Sequence, residues 1–120
     1  MADTASVYLV EHVLLVAIPD NITDTEIMSL QEELSTRIVS DGARGVVIDI
    51  AALEIVDTFV GRVLAQLSSM ARLLAAETFV VGMRPAVAMT LVELGMDLHG
   101  SRTALTLSHA LRALRSEGLA

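Results

Sequence analysis

Cysteine and lysine are both missing from these 120 residues, and each absence closes off a body of chemistry. Without cysteine there is no disulfide frame and no thiolate metal site. Without lysine there is no P-loop, no Schiff-base enzyme and no lysine-dependent receiver domain; all eight basic residues are Arg. Aromatics make up only 2% of the chain, which argues against base-stacking and sugar platforms and leaves the core to aliphatic packing. No apolar run approaches the ~18 residues that cross a bilayer, so no membrane partner is expected. Met1-Ala2-Asp3-Thr4 has neither the positive charge nor the apolar core of a signal peptide, and a cytoplasmic location is expected. The net charge of −7 argues against nucleic acid, whose phosphates would be repelled.

What the chain does have is apolar residues, 53% of the total, dispersed at strand and helix periods. At this length a single domain over residues 1–120 is expected. Val7–Val10 and His12–Ile18 read as a hairpin, broken by Pro19-Asp20-Asn21. Thr23-Asp24-Thr25-Glu26 fits a capping box ahead of a helix with Ile27, Leu30, Leu34 and Ile38 on one face; Gly42 ends it. Val46-Val47-Ile48-Asp49-Ile50 reads as a strand buried on both faces. Asp57 then caps a helix with Val60, Val63, Leu64, Leu67, Met70, Ala71 and Leu74 on its apolar side. Thr78–Gly82 is another buried strand. Pro85 suits the first position of a helix with Val87, Leu91 and Leu94 inward, stopped by Gly95. Asp97-Leu98-His99-Gly100 reads as loop, Ala104–Leu107 as a last strand, and Ser108 as the cap of a final helix with Leu111, Leu114 and Leu119 inward. The order β-β-α-β-α-β-α-β-α predicts an α/β fold: a mixed, mostly parallel sheet of about four to five strands with helices packed on it.

Two chemistries compete around the central strand. Asp49, Glu54 and Asp57 form a candidate carboxylate cluster for a small acid–base enzyme, against which stands the plainer reading of a helix cap and solvated loop acids. His12, His99 and His109 are scattered, no metal-ligand spacing occurs, and neither a cofactor nor a metal is expected. The other candidate is Thr58, a hydroxyl in the first turn of a helix, where backbone N–H groups lack intrahelical partners. A phosphate there would gain from the helix N-terminus yet add about −2 charge to a face already carrying Asp57 and Glu54 beside Ile55, Val56 and Phe59. Residue type alone does not separate a phosphoacceptor from a threonine that helps cap its helix.

The stretch Gly45-Val46-Val47-Ile48-Asp49-Ile50 with Ile55-Val56-Asp57-Thr58-Phe59-Val60-Gly61-Arg62 resembles the phosphoacceptor region of STAS domains, the anti-sigma-factor antagonists. Val81-Gly82-Met83-Arg84-Pro85 through Gly95 is similar to the strand–turn–helix of the stressosome branch of that family, and Thr103-Ala104-Leu105 with His109-Ala110-Leu111 also fits. The resemblance covers essentially the whole chain. It implies a non-enzymatic scaffold of the RsbS type that co-assembles with RsbR-type STAS proteins, as homo- or hetero-oligomer, and holds an RsbT-type switch kinase. Phosphorylation of Thr58, standing where RsbS-type scaffolds carry serine, would expel the kinase, and an RsbX-type phosphatase would reset the system. Thr90 matches a second phosphorylated threonine of RsbR-type proteins and is carried as a secondary site. The expected partner contacts are Glu54, Ile55, Val56, Asp57, Phe59 and Arg62. The alternative within the fold is a free antagonist of the SpoIIAA type; Thr58-Phe59-Val60 departs from the Asp-Ser-Ser-Gly pattern of that group.

Overall fold

Strand β1 (Ser6–Val10) turns through Glu11 and His12 into the antiparallel strand β2 (Val13–Ala17), Glu11 taking the left-handed backbone (φ 57) at this tight turn. The computed structural model describes residues 6–96, 98 and 100–120; the expectations placed on Met1–Thr4, Asp97 and His99 fall outside them. From β2 onward each strand pairs in parallel with the next: β3 (Gly45–Asp49), β4 (Glu77–Val81) and β5 (Ser101–Ala104). The sheet order is β1-β2-β3-β4-β5; the strand–helix alternation called for the mostly parallel pairing and left that order open. The connecting helices are α1 (Asp24–Ser40), α2 (Thr58–Leu73) and α3 (Pro85–Glu93), and α4 (Leu107–Ser116) follows the last strand.

Successive right-handed crossovers that all step the same way along a sheet must place their helices on the same face. Accordingly α1, α2 and α3 share one layer over Leu14, Val16, Val46, Ile48 and Val80, the buried core that also takes Leu34, Leu64 and Leu67. The alternate side chains of those strands, Val13, Val47, Phe79 and Val81, point the other way. Their cover is α4, which closes no crossover and so is free to lie on the opposite face through Ala110 and Leu114. Both faces are therefore covered, unequally, and the central strands read as unbroken apolar runs for that reason.

Local chemistry sets the helix starts. The Thr23 hydroxyl accepts the Glu26 N–H at 3.1 Å, and the Glu26 carboxylate accepts the Thr23 N–H at 3.2 Å, completing the capping box. Beyond one-residue shifts at the ends of β2, β3 and β4, three assignments differ from expectation. Strand β5 is Ser101–Ala104 rather than Ala104–Leu107, because pairing with β4 ends at Val81↔Ala104 and leaves Leu105 exposed. The cap of α4 is Thr106, not Ser108: its hydroxyl accepts the His109 N–H at 3.2 Å. Leu94 does not complete the stripe of α3, since the helix ends at Glu93 and Leu94 sits partly exposed at its cap.

The far edge of the sheet is pinned by Arg102. Its guanidinium lies 4.4 Å from the Phe79 ring centroid and donates to Glu77 at 3.1 Å and Glu117 at 2.7 Å, tying β5 to β4 and to the end of α4. The hydrogen bond from Arg102 holds the Glu117 carboxyl below its ordinary value, against a smaller opposing effect of burial, and Arg102 is correspondingly raised. A depressed carboxyl stabilises the fold above its unfolded-state pKa, near 4.3 by the usual glutamate value, and that contribution disappears as pH falls through the lower folded value. Thermal midpoints followed from pH 6 down to pH 3 are expected to drop less steeply for Glu117→Gln than for the wild type; parallel curves would remove Glu117 from the acid response.

Candidate phosphoacceptor site

The site is built at the carboxyl ends of the parallel strands, where crossover loops emerge. Strand β3 ends at Asp49, whose Oδ1 accepts the Ala51 N–H at 2.9 Å and turns the chain. The link that follows is held down by Leu53 and Val56, each 2% exposed, while Glu54 and Ile55 stand out into solvent, Ile55 at 81%. Asp57, in extended backbone, then caps α2: its Oδ1 accepts the Val60 N–H at 2.8 Å. Thr58 is the first residue of the helix and is exposed. Among the described residues its hydroxyl has no hydrogen-bond partner, so the capping role belongs to the neighbouring carboxylate.

A second loop braces the first. Gly82, at φ +75, passes so close to the β3–α2 link that a Cβ added to it would lie 2.8 Å from Ala51 Cβ and 3.1 Å from Asp49 Oδ1. Two residues on, Arg84 Nε donates to the Ala51 carbonyl at 3.0 Å. Ala51 is thus held from both ends, and the loop carrying Thr58 is fixed to the start of α3. Within α2, Gly61 performs a similar service, since a Cβ there would come within 2.6 Å of Met96 Sδ. A groove of ≈ 370 Å³ opens beside Asp57, lined on one side by Leu53, Glu54, Ile55 and Val60 and on the other by Asp20, Asn21 and Ile22 from the loop before α1.

Of the expected contact residues, Glu54, Ile55, Asp57 and Arg62 are exposed and Phe59 is half-buried. Val56 is a correction: its side chain belongs to the core, packed in the same cluster as Leu53 and Leu64, while its neighbour Ile55 takes the outer position. Thr90 donates to the Ala86 carbonyl at 3.0 Å one turn back on α3, so its hydroxyl is occupied within its own helix. The carboxylates of Asp49 and Asp57 are both engaged with backbone N–H groups. Among the described residues no three His, Asp or Glu side chains gather as a metal site, and no helix is long and apolar enough to cross a membrane. Gly82 and Arg84, read from the sequence only as part of a strand–turn–helix, and the Asp20–Ile22 side of the groove were not expected at the site.

Residues 4–110 match the model of the STAS domain. The chain is 30% identical over 102 residues to the RsbT co-antagonist protein RsbRA of Bacillus subtilis, covering 85% of this chain and 37% of that protein. It is 38% identical over 64 residues to RsbRD of the same organism, covering 53% and 23%. It thus spans well under half the length of either. Among solved structures, a serine-to-glutamate variant of Moorella thermoacetica RsbS is 40% identical, with a TM-score of 0.85 and 97% of this chain and 98% of that one covered. A chain from the stressosome, described as a signal integration and transduction hub, is 41% identical over 94% of this chain and 98% of that one, with a TM-score of 0.84. Unphosphorylated SpoIIAA, at 13% identity and a TM-score of 0.72 over 93% of this chain and 98% of its own, shares the fold.

Proposed function

The chain belongs to the STAS domain family, and from that premise we propose that it is a non-enzymatic stressosome scaffold that holds an RsbT-type switch kinase and releases it when Thr58 is phosphorylated. The observation that carries this reading is the exposed Thr58 hydroxyl at the first position of α2, free of capping duty because Asp57 performs it. Near-full-length similarity to RsbS and to a stressosome chain supports the scaffold role, and similarity to RsbRA and RsbRD supports RsbR-type partners in a mixed assembly.

In the transfer, a base of the kinase takes the proton of Thr58 Oγ1 as that oxygen bonds to the γ-phosphorus of ATP. The bond from the γ-phosphorus to the bridging oxygen breaks, and ADP leaves. The product phosphate stands where first-turn N–H groups and the helix dipole favour an anion, so the fold tolerates it. Its roughly −2 charge is placed next to Asp57 and close along the chain to Glu54, on the surface where the kinase docks. Repulsion and the loss of an apolar seat drive release, and an RsbX-type phosphatase restores the hydroxyl. The cycle runs in the cytoplasm.

Intact-mass analysis after incubation with the RsbT-type kinase and ATP is expected to show one added phosphate on the wild type and none on Thr58→Ala. Unchanged incorporation in the variant would overturn the assignment.

A further inference from the structure

The residues on either side of Thr58 line two different hollows, Asp57 one and Phe59 the other, and only the one beside Asp57 belongs to the site described so far. The other, of ≈ 520 Å³, lies between the opening turns of α1 and α2 and is lined by Asp24, Thr25, Met28, Ser29, Glu32 and Phe59. We propose that the docked kinase reaches across Phe59 into this second groove, so that α1 supplies half of its seat. This rests on the functional reading above and extends its contact surface by a helix some thirty residues away in sequence.

The spacing on α1 explains the groove. Ile27, Leu30, Leu34 and Ile38 turn to the core, and the adjoining stripe Asp24, Met28, Glu32 recurs every four residues on a neighbouring face. Met28 is half exposed at 50%, an apolar side chain set between two carboxylates. Phe59, the residue after Thr58, joins that stripe to the Thr58 helix. Among the described residues no cationic side chain lines either hollow. The combined surface is therefore an apolar centre of Met28, Phe59 and Ile55 inside a rim of carboxylates. Its complement is a protein face with an apolar centre rimmed by Arg and Lys. Methionine is well suited to the centre because its unbranched chain adapts to the partner's shape. A phosphate on Thr58 would then meet carboxylates of α1 as well as those of the β3–α2 link, with the exposed Arg62 four residues on along α2 offsetting only part of that charge.

The test is titration of wild type and variants against the RsbT-type kinase at low and high salt. Met28→Glu and Glu32→Arg are expected to weaken binding about tenfold each, as charge mismatches in an interface do, and Ile55→Asp to weaken it similarly. Leu73→Asp, an exposed position at the other end of α2, is expected to bind as wild type. Should the charge reversal disturb folding, Glu32→Gln, which keeps helix propensity, still predicts weaker binding with a shallower salt dependence. If Ile55→Asp weakens binding while Met28→Glu and the Glu32 variants bind as wild type, the α1 half of the seat is wrong and the kinase reading stands. If wild type itself does not bind, the functional reading fails and this extension falls with it.

Discussion

Gly82→Val is expected to destabilise the protein by on the order of 3 kcal/mol, the combined result of a β-branched residue forced into left-handed backbone and of a steric collision. At φ +75 the added Cβ would stand 2.8 Å from Ala51 Cβ and 3.2 Å from Ala51 Cα, so the obstacle includes backbone and not just the tip of a flexible side chain. Ala51 cannot easily retreat, because its N–H is bonded to Asp49 and its carbonyl to Arg84. The strain is shared with the loop that leads to Thr58, so on the proposed function phosphorylation at that position should slow as well. Urea unfolding decides the first point: a loss below about 0.5 kcal/mol, the range of an ordinary surface change, would mean that the close approach of the two loops is not rigid. Gly82→Ala keeps the backbone strain with a smaller side chain and should fall between valine and wild type.

Leu64→Ala is the second large effect, expected to cost about 3–5 kcal/mol through lost apolar burial and the cavity left behind. Leu64 is fully buried on the inner side of α2, in the same cluster as Ile48 and Val80 of the sheet. Against a typical domain stability of roughly 5–15 kcal/mol, the loss is a large share of what holds α2 in place. Leu73→Ala on the same helix is the control: Leu73 is 86% exposed, and truncating it should move stability by less than about 0.5 kcal/mol. Equal effects at the two positions would contradict the packing of α2. Because Leu64 is buried on the inner side of α2 whereas Thr58 is exposed, the proposed function predicts that the variant still accepts phosphate at temperatures where it remains folded.

Much of the architecture was legible because it is carried by local chemistry. The capping box at Thr23 and Glu26, the carboxylate cap at Asp57, the left-handed Gly42 and Gly95, and Pro85 opening α3 all depend on residues within a turn of one another. The errors arose where one local pattern fits two structures. Leu105-Thr106-Leu107 alternates like a strand, but the threonine hydroxyl is used as a cap and the ladder with β4 has already ended. Ile55-Val56 reads as an apolar pair, and only the way the link lies on the core reveals that one member is exposed and the other buried. The approach of Gly82 to Ala51 and the groove shared by Met28 and Phe59 join segments far apart in the chain. No periodicity within either segment signals such a meeting.

Because neighbours in the sheet are also neighbours in the chain, every strand is laid against the one synthesised just before it. No strand has to be threaded between two others already in place. The strands can therefore be added in chain order as they leave the ribosome, each new strand–helix pair closing onto an edge that is waiting for it. Among the described elements only α4 completes the opposite layer, so Val13, Val47 and Phe79 stay uncovered until that helix has been made.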